Sequence, residues 1–188
     1  MTTKVHFYTA MTLDGFLADP DDSLDWLLRQ PEQDPAGFGA YDPFIANIGA
    51  IVMGRETYDW VVRHLERSGE KWPYDMPAWV MTTREPAPFP DGDIRFASGG
   101  IRGVYDEMAA AANGKDIWVV GGGDLAGQFA DEGLLDEIHV SIAPVTLGAG
   151  KPLLPRRYDL ELLDTARNGP FVCARYRFLG PLAEDGRA

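Results

Sequence analysis

The sequence has little cysteine and little basic charge, and both scarcities narrow the range of functions. Cys173 is the single cysteine, which excludes an intramolecular disulfide framework and a metal cluster built from cysteines. There are 17 lysines and arginines against 29 aspartates and glutamates, so the formal net charge is −12. Because this charge repels polyanions, we expect neither nucleic acid nor an anionic membrane surface as the main partner.

Three further features are missing. No apolar run approaches the roughly 20 residues that a helix needs to cross a bilayer. The N-terminal residues lack the charged and apolar regions of a signal peptide, so we expect a cytoplasmic protein. The three histidines, His6, His64 and His139, are scattered without ligand spacing, and we therefore expect no metal site.

The apolar content is sufficient for one sizeable core. The chain has 188 residues, of which 45% are hydrophobic, a length and composition that suit a single folded unit. We see no internal repeat and no linker. The sequence therefore predicts one domain over residues 1–188.

Strand-like runs alternate with helical patterns along most of the chain. Lys4 to Ala10 is the first run, and Ala50 to Gly54 is followed by apolar residues at helical spacing from Tyr58 to Leu65. The pattern continues with strands at Ala78 to Thr82, Ile94 to Ala97 and Asp116 to Val120, and with helices from Ile101 and Leu125. Strands separated by helices predict an α/β fold with a mostly parallel sheet that helices cover on both faces.

The C-terminal third has a different pattern. Glu137 to Ala143 reads as one more strand. Two strand-like segments, Leu160 to Ala166 and Phe171 to Phe178, then flank Asn168-Gly169, a typical hairpin turn. The predicted sheet thus ends in a C-terminal antiparallel hairpin.

The sharpest local motif is the bend Gly121-Gly122-Gly123, which joins a strand to a helix. Glycines let a ligand approach the backbone, and a helix N-terminus offers unpaired N–H groups to a pyrophosphate. A tight turn without a ligand explains the glycines equally well. Asp124 must point its carboxylate away from any phosphate, for example as a helix cap.

Two common phosphate-binding motifs fit this bend poorly. Gly121, Gly123 and Ala126 have the spacing of a Rossmann fingerprint, but no acidic residue lies between Glu137 and Asp159, where the ribose-binding acid belongs. A P-loop would need a Gly-Lys-Ser or Gly-Lys-Thr sequence after the glycines, and none is there. The Rossmann interpretation is therefore a minor alternative.

Two other motifs lie at the ends of strands. One is Gly54-Arg55-Glu56-Thr57-Tyr58 and the other is Thr82-Thr83-Arg84. Because ligands gather at the carboxyl ends of strands in open α/β sheets, we expect both motifs to share a cleft with the glycine bend. Their guanidinium and hydroxyl groups suit a 2′-phosphate or a pyrophosphate.

In order and spacing these motifs, with Val119-Val120 before the glycines and Leu125 after them, resemble the cofactor-binding motifs of dihydrofolate reductases. The opening Ala10-Met11-Thr12-Leu13-Asp14-Gly15 and the late Leu147-Gly148-Ala149-Gly150 look more like the reductase domain of bacterial riboflavin biosynthesis. The chain is similar over nearly its whole length to stand-alone, dihydrofolate-reductase-like proteins grouped with that domain.

The resemblance implies a dihydrofolate-reductase-like three-layer fold that binds NADPH across the carboxyl ends of its strands. It assigns the cofactor phosphates to Arg55 and Thr57, the 2′-phosphate to Thr83 and Arg84, and the pyrophosphate to the segment from Gly121 through Gly122, Gly123 and Asp124 to Leu125. Gly54 and Thr82, in the same motifs, are also predicted to bind the cofactor. It also implies a cis peptide between Gly121 and Gly122, and a homodimer. The implied activity is hydride transfer to a small heterocyclic substrate, pterin-like or pyrimidine-like, or to a carbonyl or imine.

Reduction of such a substrate also needs a proton, which a carboxylate or an ordered water can deliver. Asp14 and Asp25 are the predicted catalytic carboxylates, although a turn residue and a helix-end residue are the plainer interpretations. An alternative function stays open at this point, since a nucleotide-binding protein of the same fold without turnover would keep the same cofactor motifs.

Overall fold

The computed structural model describes residues 3–84 and 86–182. Within them, the large sheet contains the strands β1 (Val5–Thr12), β3 (Ile48–Gly54), β4 (Ala78–Met81), β5 (Ile94–Ala97), β6 (Asp116–Gly121), β7 (Glu137–Ala143), β9 (Tyr158–Asn168) and β10 (Phe171–Pro181). A separate pair joins β2 (Phe16–Ala18) to β8 (Lys151–Pro152). The helices are α1 (Asp25–Leu28), α2 (Tyr41–Ile45), α3 (Arg55–Ser68), α4 (Ile101–Ala111) and α5 (Gly123–Asp131).

The strand order of the large sheet is β5-β4-β3-β6-β1-β7-β10-β9. Neighbours from β5 to β7 run parallel, whereas β10 is antiparallel to both β7 and β9. The predicted mostly parallel sheet with a C-terminal antiparallel hairpin is therefore confirmed. The hairpin strands are longer than expected, since β9 begins at Tyr158 and β10 ends at Pro181. Asn168, predicted in the turn, is instead the last residue of β9 and pairs with Phe171.

Successive side chains of a strand point to opposite faces of the sheet. Apolar residues occupy both faces here, as a sheet covered by helices on both sides requires. In β3, Ala50 and Val52 belong to the core that α4 and α5 cover, whereas Ile51 and Met53 belong to the core that α3 covers. These are two helical layers around one sheet, as predicted. Among the described residues, no helix has the length and apolar character needed to cross a membrane.

The parallel arrangement determines where a ligand can bind. Because β1, β3, β4 and β6 all end at one edge of the sheet, the turns into α3 and α5 meet there. The pairing of β2 with β8, which the sequence did not indicate, brings residues 151–152 to this edge as well.

Candidate active site

Two helices begin side by side at the carboxyl edge of the sheet. Gly54 precedes the first turn of α3, and Gly122 precedes that of α5. Within the described residues, no side chain caps either N-terminus by a hydrogen bond. The first-turn N–H groups and the positive ends of both helix dipoles are therefore available to an anion.

The two helix starts open onto a cleft of about 670 Å³. Its walls include eight of the predicted cofactor residues, namely Gly54, Arg55, Thr57, Gly121, Gly122, Gly123, Asp124 and Leu125. Five other predicted residues, Thr82, Thr83, Arg84, Asp14 and Asp25, are not among the described residues that line it. The structure thus brings the two glycine motifs together and leaves the third motif and both predicted catalytic carboxylates outside the walls.

Arg55 is held in place at the start of α3. Its Nε–H donates to both carboxylate oxygens of Asp59, one helical turn later, at 2.7 and 2.8 Å. Its Nη1 donates to the carbonyl oxygen of Arg84 at 3.4 Å. The segment 82–84 therefore lies beside Arg55 at the margin of the cleft, even though its side chains do not form the wall.

Residues 82–84 form a tight turn that hydrogen bonds of the Thr82 side chain stabilise. The hydroxyl of Thr82 donates to the carbonyl oxygen of Arg84 at 2.8 Å, and the backbone N–H of Arg84 donates to the same hydroxyl at 3.1 Å. Thr83 and the side chain of Arg84 are exposed. Thr82 thus shapes the turn that follows β4.

The glycine bend has three different environments. The Gly121–Gly122 peptide is cis, as the resemblance implied. A methyl group on Gly121 would come within 3.3 Å of the Thr57 hydroxyl, whereas one on Gly122 would meet no described atom within 4 Å. A methyl group on Gly123 would overlap the carbonyl oxygens of Pro152 and Leu153. Gly122 thus borders open space, and Gly123 is needed for helix packing.

Asp124 points away from the helix start but does not cap it. Its carboxylate accepts a hydrogen bond from the side-chain amide of Gln128 at 2.8 Å and forms an ion pair with Arg156 at 3.0 Å. The expected helix cap is therefore wrong in detail, because Gly122 occupies the capping position and Asp124 is paired along the outer side of α5. This pairing neutralises a negative charge close to the proposed phosphate site.

The carboxylate of Asp14 accepts hydrogen bonds from its own loop and from the loop that precedes β8. It accepts hydrogen bonds from the Thr12 hydroxyl at 2.6 Å and from the backbone N–H groups of Leu147 and Gly148 at 3.0 and 2.7 Å. The hydrogen bond from Thr12, followed by that from Gly148, lowers the pKa of Asp14. Asp25, the other predicted catalytic carboxylate, is an exposed residue in the first turn of α1.

Sequence reasoning missed the second cation of the cleft. Lys151 lines the wall and pairs with Asp22 at 3.2 Å. The hydrogen bond to Asp22, with the charges of Asp22 and Glu56, raises the pKa of Lys151. Its position directly after the motif Leu147-Gly148-Ala149-Gly150 was the available signal.

A second cavity, of about 1090 Å³, lies elsewhere on the sheet. Phe7, Ile138 and Val140 belong to the core under α4 and α5, so the alternating His6, Glu137 and His139 face the opposite side. The rings of His6 and His139 are 5.1 Å apart. Burial, with His6 as the second cause, lowers the pKa of His139 to about 4. The expectation of no metal site rested on sequence spacing, which did not reveal this cluster.

A family model and two curated proteins match most of this chain. Residues 3–167 match the family model described as the RibD C-terminal domain. The chain is 30% identical over 179 residues to the uncharacterized protein YwjB of Bacillus subtilis, covering 94% of this chain and 98% of that protein. It is 27% identical over 173 residues to the riboflavin biosynthesis protein RibD of Corynebacterium ammoniagenes, covering 88% of this chain and 49% of that protein.

Solved structures show the same fold. A Shewanella sp. PV-4 protein, provisionally described as a riboflavin biosynthesis protein, is 25% identical with a TM-score of 0.77, covering 95% of this chain and 99% of that one. A pyrimidine reductase-like protein from Corynebacterium diphtheriae is 16% identical with a TM-score of 0.63, covering 94% of this chain and 92% of that one. The second match supports the fold alone.

Proposed function

Because this chain belongs to the RibD C-terminal domain family, we propose that it is an NADPH-dependent reductase of a small heterocyclic, carbonyl or imine substrate. One observation carries the proposal: two uncapped helix N-termini and the braced guanidinium of Arg55 open onto a single cleft of about 670 Å³. Such a cleft has the size of a small-molecule or cofactor site and the donors that a dinucleotide requires.

The residues of the cleft fit the cofactor part by part. The first-turn N–H groups of α5 and the open space beside Gly122 suit a pyrophosphate. Arg55 and the hydroxyl of Thr57 suit the phosphates at the start of α3. Thr83 and Arg84, in the turn beside Arg55, suit a 2′-phosphate, which distinguishes NADPH from NADH. When bound, this cofactor supplies the hydride.

The apolar part of the cleft wall suits the substrate. Apolar side chains line it, among them Leu17, Leu24, Leu27 and Trp60, and the Lys151–Asp22 pair lies at the same site. Apolar walls exclude water and accept a planar heterocycle, while the ion pair can orient a polar substituent or an ordered water that delivers the proton. Asp14 then acts as a positioning residue, because it holds the loop that leads into Lys151.

The positions of Asp14 and Asp25 favour an alternative function, which is nucleotide binding without turnover. Since neither predicted proton donor lines the described part of the cleft, a nucleotide-binding protein without turnover would have the same cofactor site. Sustained NADPH oxidation with pterin-like, pyrimidine-like, carbonyl or imine compounds separates the two functions, because only the reductase consumes the nucleotide.

The first test is a fluorescence titration of the wild type, Arg55→Ala and Arg63→Ala with NADPH and with NADH. Arg63 is the matched control, an exposed arginine on the same helix that does not line the cleft. We expect the wild type to prefer NADPH and Arg55→Ala to weaken its binding about tenfold or more, since hydrogen bonds to charged groups contribute roughly 1.5–3 kcal/mol. Arg63→Ala should bind like the wild type.

The absence of binding of both nucleotides to the wild type would refute the proposal. Equal weakening by both arginine variants would show instead that general charge, rather than the braced position of Arg55, governs binding. Urea unfolding of each variant verifies that the fold is intact before its affinity is interpreted.

A further inference from the structure

The large sheet assembles a group of metal-ligand side chains that are distant in sequence. His6 of β1 and Glu137 of β7 are register partners in the parallel pair, and His139 follows Glu137 two residues later on the same face. Each residue offers one ligand atom, and these atoms lie within 4.8 Å of one another. Because neighbouring strands fix their spacing, the cluster is a rigid feature of the fold.

The hydrogen bonding of His6 leaves one of its nitrogens available. Nε2 is 3.0 Å from the carboxylate of Asp116, and because a carboxylate only accepts, the neutral ring that donates its Nε2–H there has its lone pair on Nδ1. That Nδ1 is buried and has no hydrogen-bond partner among the described residues, in a side chain that is 9% exposed. A histidine that gives its other N–H to a carboxylate is the usual arrangement behind a metal ligand.

His139 and Glu137 offer the other two donors. The Nε2 of His139 is also buried without a hydrogen-bond partner among the described residues. It lies 3.4 Å from Oε2 of Glu137. With bonds of about 2.1 Å to a tetrahedral zinc ion, two ligand atoms stand roughly 3.4 Å apart, so this pair already has the required separation.

We propose that His6, Glu137 and His139 bind a divalent transition-metal ion of the zinc class. Two imidazoles and one carboxylate are a ligand set that zinc accepts, and three protein ligands leave a fourth position for water or another ligand. The adjoining cavity of about 1090 Å³ gives that fourth position access to solvent. This site lies on another part of the sheet from the proposed cofactor cleft, and no residue that the structure describes lines both cavities.

Two cations near Glu137 weaken metal binding at the proposed site. Lys4 pairs with Oε1 at 2.9 Å, and Nε of Arg175 is 3.8 Å from Oε2. Their charges repel a divalent ion, and Lys4 makes Glu137 a monodentate ligand through Oε2. Replacement of Lys4 by methionine should therefore strengthen metal binding several-fold.

The test is titration of the untagged, metal-free chain with Co²⁺, followed by its visible absorption, and then with Zn²⁺ in competition. The variants are His139→Ala, Glu137→Gln and Lys4→Met, and the control is His64→Ala, since His64 stacks on Trp60 away from the cluster. We expect one ion per wild-type chain, at least tenfold weaker binding in His139→Ala and Glu137→Gln, and unchanged binding in His64→Ala.

Three results would overturn the proposal. The first is a wild type without saturable Co²⁺ absorption, and the second is equal affinity in the wild type and His139→Ala. The third is unchanged or weaker binding in Lys4→Met, which would remove Glu137 from the ligand set. Circular dichroism of each variant separates loss of ligands from loss of fold, and the half-buried His139 is a safer position to replace than the buried His6.

Discussion

At the scale of single residues, Asp14 shows how a carboxylate with a functional motif can have a structural role. Its oxygens accept hydrogen bonds from a side chain of the first turn and from the loop that precedes β8. A group that holds three donors while ionised is a poor proton donor at neutral pH, because protonation would break those contacts. Its contribution is therefore to connect two loops beside the cleft.

We expect Asp14→Asn to lower the free energy of unfolding at pH 7. The folded-state pKa of Asp14 lies below its unfolded value of about 3.9. The carboxylate therefore adds stability that is fully present above this value and is lost as pH falls through the folded pKa. Urea unfolding at pH 7 and at lower pH values, down to about 3.5, should show the difference from wild type shrinking in acid.

Asp25→Asn is the control for this measurement. Asp25 is also an acidic residue near a loop, but it is exposed, and its described hydrogen bonds involve only its backbone N–H and carbonyl oxygen, not its carboxylate. We expect Asp25→Asn to leave the unfolding free energy nearly unchanged at pH 7 and at the lower pH values. A similar loss in both variants would mean that the contacts of Asp14 do not stabilise the loop.

At the scale of elements, the start of α5 depends on a residue without a side chain. Gly123→Ala would place a methyl group against the carbonyl oxygens of Pro152 and Leu153, and these backbone atoms cannot rotate away. Overpacking of this kind costs roughly 1–3 kcal/mol, so we expect a decrease of that size in the free energy of unfolding. Denaturant unfolding of the purified variant measures it.

Gly103→Ala is the matched control within a helix. Gly103 lies inside α4, is exposed, and a methyl group there would meet no described atom within 4 Å. Alanine should raise the free energy of unfolding by up to about 0.5–1 kcal/mol, the value for a helix interior, since glycine is entropically unfavourable in a helix. A Gly123→Ala protein as stable as wild type would show that residues 152–153 move aside easily.

The same elements show what the sequence could predict. Periodicity found α3, α4 and the hairpin, because each is a local pattern of apolar residues or turn residues. The pair β2–β8 was missed since its strands have three and two residues and lie far apart in the chain. Lys151 was missed with it, as its place in the cleft depends on that pairing.

The histidine cluster was missed for a related reason. His6 and His139 are separated by most of the chain, and no ligand spacing connects them. Only the parallel register of β1 with β7 brings them together. The motifs around Arg55 and Gly121 were predictable because the residues of each motif are close together in sequence. Their capacity to bind phosphate could therefore be recognised without knowledge of the fold.

At the scale of the whole molecule, the homodimer implied by the family resemblance remains a prediction. Within the described strands β9 lies at the edge of the large sheet and pairs only with β10. Leu160, Leu162 and Val172 of this hairpin are exposed, with Leu162 at 54%. An exposed edge with apolar side chains is a surface that a second copy can cover by two-fold pairing.

We expect sedimentation velocity to show a dimer of the wild type at micromolar concentrations and a weaker dimer for Leu162→Glu. Leu28→Glu is the control, because Leu28 is similarly exposed at 58% but lies on α1. Since each copy carries a formal charge of −12, the copies repel each other, and association should strengthen as salt rises from about 0.02 M to about 0.2 M. A wild type that stays monomeric throughout, or equal weakening in both variants, would exclude the hairpin as the dimer surface.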